Sequence, residues 1–130
     1  MANPNIAALT TINGITTSVI PAGTTPVVLL ANAASSANVY RIDLITIANQ
    51  ATSAQTATVS IYTNGAQGQN TAPSSGNTYP LAYQISIPAN ASLVVSDKTT
   101  QFYLNEANSI VVTAGSTSNL VFTTSYEAIY

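Results

Sequence analysis

Between Tyr79 and Gly115 the chain reads YPLAYQISIPANASLVVSDKTTQFYLNEANSIVVTAG, with apolar and polar residues trading places almost without a break. Successive side chains of a strand point to opposite faces, whereas those of a helix share a face every three or four residues. Such alternation therefore builds half-buried strands. The two-residue pattern recurs in NVYRIDLITIAN (38–49), TATVSIYTN (56–64) and NLVFTTSYEAI (119–129), and no segment sustains a 3.6-residue period. About eight or nine short strands at roughly 8–12-residue spacing, rich in Thr, Val, Ile and Tyr, predict an all-β antiparallel β-sandwich. Jelly-roll-like and immunoglobulin-like connections both satisfy that pattern, because periodicity carries no strand order.

Residues 1–10, with Pro4 and several small side chains, read as an N-terminal arm, and residues 11–130 as a single β-sandwich domain. Asn13–Gly14 has the composition of a tight turn. Pro21 cannot donate to a ladder and closes the first strand region. TPVVLLAN (25–32) reads as a buried strand, and residues 38–49 as a long central one. Within the latter, Tyr40, Ile42 and Leu44 share a face, and Ile45 and Ile47 then move the apolar residues to the opposite parity. That switch calls for a bulge near residue 44 or for burial of both faces. The expected core is Ile42, Leu44, Val59, Ile61, Leu81, Tyr83, Ile85, Leu93, Phe102, Leu104, Ile110, Val112, Leu120 and Phe122. NGAQGQNTAPSSGN (64–77) has no aliphatic side chain larger than Ala, so it reads as a solvent-exposed tip.

Charge restricts function more than any motif does. Only 5% of the 130 residues are charged, against about 25% in an ordinary soluble domain. Arg41 and Lys98 face Asp43, Asp97, Glu106 and Glu127, for a net charge of −2. Two cations cannot replace the counterions along a nucleic-acid backbone or hold an anionic membrane. With neither Cys nor His, thiol chemistry and the commonest general base and metal ligand are missing. MANPNIAALT lacks the basic start of a secretory signal, and nothing approaches the ~18 apolar residues of a membrane span. A surface this neutral repels its own copies weakly, which favours a subunit of an assembly.

Each remaining polar cluster has a plain structural reading. Asp97 and Lys98 in SDKT suit a β-turn, where Asp accepts from nearby backbone amides, better than a base or an amine nucleophile. Asp97 with Glu106 has the residue types of a glycosidase pair, but there is no Trp to serve as a sugar platform. NEANS (105–109) offers too few oxygens for Ca²⁺ and reads as a turn. Asn90–Ser92 matches the N-glycosylation pattern and also reads as a turn. Arg41 and Asp43, two apart on one strand face, suggest a surface ion pair. The seven Tyr suit either a contact surface or ordinary strand positions. No catalytic, cofactor-binding or metal-binding residue is assigned, and the chain is read as not an enzyme.

From Tyr79 to Glu127 the succession of IPA, LVV.DK, FYL.E, SI.V.A and SYE.I elements, with YRIDLITIAN before it, resembles small virion structural proteins of tailed bacteriophages, particularly cyanophages. Where such proteins carry Gly-Asp after YL.E, this chain has Ala107–Asn108, and Asn108 is expected to take the left-handed backbone. The resemblance implies attachment to capsid, neck or tail without catalysis. The expected function is a capsid decoration (cement) or head–tail-junction subunit that stabilises the particle through uncharged sheet and loop contacts. Its partners would be other virion proteins and further copies of itself, with no cofactor, nucleic acid or membrane. It would reside in the virion after assembly in the host cytoplasm. A carbohydrate- or host-receptor-binding β-sandwich, using residues 64–78 and the Tyr set, is the alternative.

Overall fold

The computed structural model describes residues 5–130. Of the arm at residues 1–10, the first four lie outside the described residues. Ile6–Ala8 form a single 3-10 turn whose start is capped by the Asn5 side chain, which accepts from the Ala7 amide at 3.0 Å. Nine strands follow: β1 (Ile12–Val19), β2 (Val27–Asn32), β3 (Val39–Asn49), β4 (Gln55–Tyr62), β5 (Thr78–Ile87), β6 (Ser92–Ser96), β7 (Phe102–Leu104), β8 (Asn108–Ala114) and β9 (Leu120–Ile129).

The strands pair from the outside in: β1 with β9, β2 with β8, β3 with both β6 and β7, and β4 with β5, all antiparallel. Two further pairings, β3 with β9 and β4 with β8, roll this long nested hairpin into two sheets. The orders are β1-β9-β3-β6, with β7 also on β3, and β2-β8-β4-β5. This is the jelly-roll connection, with its sixth strand broken into β6 and β7 by a turn at residues 97–100. The antiparallel sandwich is thus the observed fold, and the nesting selects one of the two connections that the alternation left open.

Burial follows the two-residue period most closely in β9. Leu120, Phe122, Thr124, Tyr126 and Ala128 are buried, while Val121, Thr123, Ser125 and Glu127 are half-buried. Between the sheets, Ile42, Ile45, Ile47, Leu104, Leu120 and Phe122 meet Leu29, Leu30, Val59, Ile87, Ile110 and Val112. Leu93 and Phe102 pack half-buried at the margin. The expected bulge in β3 is present: the register with β9 shifts between Ile42 and Leu44. The extra residue returns Ile45 and Ile47 to the core and turns Leu44 out to a half-buried position opposite Ser125. Leu44 is therefore not a core residue. Its carbonyl, displaced by the bulge, accepts from the buried Thr124 hydroxyl at 3.0 Å.

Ile61 is likewise only half-buried on β4 and lies outside the buried core. Three further core expectations fail together. Leu81, Tyr83 and Ile85 are 44%, 64% and 40% exposed: β5 is the edge of its sheet, and its register with β4 shifts twice, leaving Leu81 and Tyr83 without ladder partners. Asn13–Gly14 is not a turn but part of β1, where Asn13 pairs with Ala128 and Gly14 with Glu127. The terminal strand β9 holds these two residues extended, and tertiary pairing overrides the local turn preference.

Residues 64–77 are mostly solvent-exposed, as expected, but do not project as a free tip. They fold back over the outer face of the β2-β8-β4-β5 sheet and bury a second small cluster of Val28, Tyr62 and Val111. The segment is tied by hydrogen bonds. The Asn70 amide donates to the Val28 carbonyl at 2.7 Å, and the Val28 amide to the Thr71 carbonyl at 2.9 Å, so the open edge of β2 is paired within the chain. Ser109 donates its hydroxyl to the Asn64 carbonyl at 2.8 Å. Gly65 lies so close to β2 that an added Cβ would sit 1.9 Å from the Asn32 carbonyl oxygen, and one on Gly76 would meet the Tyr62 ring at 2.7 Å.

Two buried asparagines fasten the ends of the sandwich. Asn32 donates to the Asn38 and Leu104 carbonyls, both at 3.0 Å, and accepts from Ser36. Asn49 donates to the carbonyls of Ser53, Ile87 and Pro88 and accepts from the Ala51 amide. Each amide replaces the water its loop would otherwise need, since buried backbone groups left unpaired are costly.

Phe122, the largest fully buried side chain, should lose about 3–5 kcal/mol of stability on truncation to Ala, measured by denaturant unfolding. The packed loop leads to a paired expectation. Gly65→Ala should destabilise by about 1–3 kcal/mol through overpacking against β2. Gly68→Ala, whose nearest neighbour would be Thr71 at 3.6 Å, should stay within about 0.5 kcal/mol of wild type.

Candidate interaction surface

The few charges are placed for structure. Arg41 and Glu127 are cross-strand partners on β3 and β9, and their side chains form an ion pair on the outer face of the sheet. Asp43 joins from the bulge, with its carboxylate 3.4 Å from the Arg41 Nε and 2.6 Å from the Gln101 amide that donates to it. The expected Arg41–Asp43 pair is thus present, and Glu127 is the larger partner that spacing along one strand could not reveal. Glu106 accepts from the Ala37 amide at 2.7 Å and ties the β7–β8 turn to the loop before β3.

Asp97 opens the β6–β7 turn. Its carboxylate accepts from the Thr99 amide at 2.9 Å and the Thr99 hydroxyl at 2.6 Å, and its carbonyl accepts from the Thr100 amide at 3.0 Å. The Thr99 hydroxyl, then its amide, holds the Asp97 carboxyl below the ordinary carboxylate value. The turn gains stability from this carboxylate above the unfolded-state pKa and loses it as pH falls through the lowered one. Asp97 and Glu106 stand in turns at opposite ends of β7, each engaged with backbone. Lys98 sits exposed at the tip of the first turn. In the next turn the left-handed residue is Ala107, at φ 62°, and not Asn108, which opens β8. Asn90 is also left-handed, at φ 55°, in the exposed β5–β6 turn. Among the described residues no three His, Cys, Asp or Glu side chains come together as a metal site.

The tyrosines divide by environment. Tyr40 and Tyr126 pack against each other between the sheets, tilted by 43° with centroids 4.9 Å apart, and burial pushes the Tyr126 hydroxyl pKa up. Tyr62 lies beneath the folded-back loop. Tyr79, Tyr83, Tyr103 and Tyr130 are exposed. Two of these, Tyr79 and Tyr83, stand on β5 with Leu81 and Ile85, so one edge strand presents four large apolar side chains to water.

β5 shows two kinds of edge character at once. Its backbone is poor at pairing: Pro80 has no amide proton, the register with β4 shifts twice, and Gln84 is left-handed at φ 48°. Proline and bulges are common means of discouraging strand-to-strand aggregation. Its side chains, however, carry no charge, and the four largest apolar ones are exposed. An open depression of about 150 Å³ lies next to Leu81, lined by Val95, Ser96, Thr100 and Phe102 where the sheets part. A second depression, of about 200 Å³, is lined by Thr56, Thr58, Gln84 and Thr113 and carries no charge. At the other end of the sandwich β1 exposes Ile12 and Ile15. The chemistry available is thus docking through apolar contact and neutral hydrogen bonds. Composition hinted at this surface through its excess of Tyr over Phe, but the alternation in β5 pointed its side chains to the wrong environment.

Compared with known proteins, the chain matches no family model, and no curated protein matches it either.

Proposed function

We propose that this chain is a structural subunit of a bacteriophage virion, a capsid decoration (cement) or head–tail-junction protein that acts by packing its uncharged surface against neighbouring subunits. The observation that carries the reading is the bare apolar edge at Tyr79, Leu81, Tyr83 and Ile85, on a sandwich whose β2 edge is covered by its own loop. Large apolar side chains gathered exposed on one strand are the kind of surface feature that marks a contact site. The resemblance of residues 79–127 to cyanophage virion proteins supplies the setting. A carbohydrate- or host-receptor-binding role is the second reading, favoured by the neutral depression at Thr56, Thr58, Gln84 and Thr113, whose hydroxyls and amide suit sugar hydroxyls. Glycan-array binding that is lost on Gln84→Ala would favour it.

Locating the chain in intact particles by cryo-electron microscopy tests the first reading directly. With only six charged side chains, ion pairs cannot carry its attachment. Release from particles should therefore stay unchanged between about 0.05 and 0.5 M salt, a range over which the screening length shortens severalfold. Stripping by moderate salt would refute this account of the contact.

A further inference from the structure

We infer that the β5 side of the sandwich is a self-complementary surface, on which a second copy of this chain docks about a two-fold axis. Four observations point to the same occupant. First, β5 contains no charged residue, so placing it against its own copy brings no like charges together. Second, the surface carries both a protrusion and a recess. Tyr83 is the most exposed of the large apolar side chains, and it lies two residues from Leu81, which borders the 150 Å³ depression. A cavity of about this volume lined by Leu, Ile and Phe admits a benzene ring, so one tyrosine ring fits the recess of a partner. A two-fold axis makes that insertion reciprocal, as an isologous interface requires.

Third, two opposite charges, Asp97 and Lys98, are carried on the turn between two of the recess's lining residues, Ser96 and Thr100. Adjacent opposite charges are self-complementary: across a two-fold, Lys98 of one copy faces Asp97 of the other. An apolar centre with charges confined to the rim is the usual anatomy of a specific interface. Fourth, the area suffices. The four β5 side chains leave on the order of 400–500 Å² in water, the size at which a patch on a monomer marks a contact. With the flanking turn it approaches the roughly 800 Å² per partner of a standard interface. Pro80, the two register shifts and Gln84 keep the contact from becoming a continuous sheet, which would propagate into fibres instead of closing at two.

This inference rests on reading the β5 side as an assembly surface but not on the particle role, because the test uses purified full-length chain with no other subunit present. Sedimentation velocity over about 1–100 µM should show a dimer, the range that resolves micromolar affinity. Tyr83→Glu should weaken dimerisation at least about tenfold with an unchanged circular dichroism spectrum, since it buries a charge in the recess. Tyr79→Glu, on the same strand, should do the same and serves if the first variant misfolds. Ile15→Glu, on β1, should leave the dimer intact. Carbodiimide coupling of mixed isotope-labelled and unlabelled chains should join Lys98 of one copy to Asp97 of the other. A wild-type monomer throughout the range overturns the inference and leaves the particle role to its own salt test. A dimer that survives both Tyr variants, or is dissolved by Ile15→Glu, also overturns it.

Discussion

The pairing of β3 with β9 is the interaction on which the rest of the sandwich depends. It joins ten residue pairs in the middle of one sheet and gives β1, β6 and β7 the strands they pair with. Its bulge decides which residues reach the core. Without the extra residue at Asp43, either Ile42 or the Ile45–Ile47 pair would face outward, because a one-residue slip inverts every side chain beyond it. The Thr124 hydroxyl satisfies the carbonyl that the bulge displaces, so this irregularity is built into the core. The ladder brings residue 39 to residue 129, which makes the topology strongly non-local and its folding intrinsically slow.

A chain with so little charge has few means of keeping strand edges apart, and this one treats its edges differently. The β2 edge is covered by residues 63–77, which pair with Val28 and shelter Tyr62 and Val111. On the opposite side β5 is left open, with its backbone disrupted and its side chains apolar. The first arrangement buries hydrophobic surface within the molecule, and the second leaves it available to a neighbour. Few charges and an open apolar edge both fit the assembly role proposed above, since a surface covered by a neighbour gains little from strong hydration.

How far the sequence could be read depended on which force set each feature. Strand identity was legible because a two-residue period reflects the geometry of the extended chain itself, as in Leu120, Phe122, Thr124 and Tyr126. The bulge was legible because it must change the parity of apolar residues. The role of β5 was not, since alternation shows that a strand has two faces and does not say whether either is covered. Asn13–Gly14 misled for a related reason: local turn preference is worth little beside eight ladder pairs with β9. Which groups Asp97 and Glu106 meet was not legible either: each stands in a turn at one end of β7 and accepts from a backbone amide.

By itself the sequence determined an antiparallel β-sandwich, a neutral surface and the lack of Cys and His chemistry, because these follow from residue type and local periodicity. Tertiary structure alone decided that the strands nest as a jelly roll, that Glu127 is the partner of Arg41, and that Asn32 and Asn49 are interior fasteners. It also decided that a Gly- and Ser-rich segment is packed, because small residues let its backbone approach β2 and the Tyr62 ring closely, a property that composition alone does not distinguish from flexibility. The apolar side chains of β5 became surface because β5 is an edge strand whose register with β4 shifts twice, and no local pattern encodes a strand's place in its sheet.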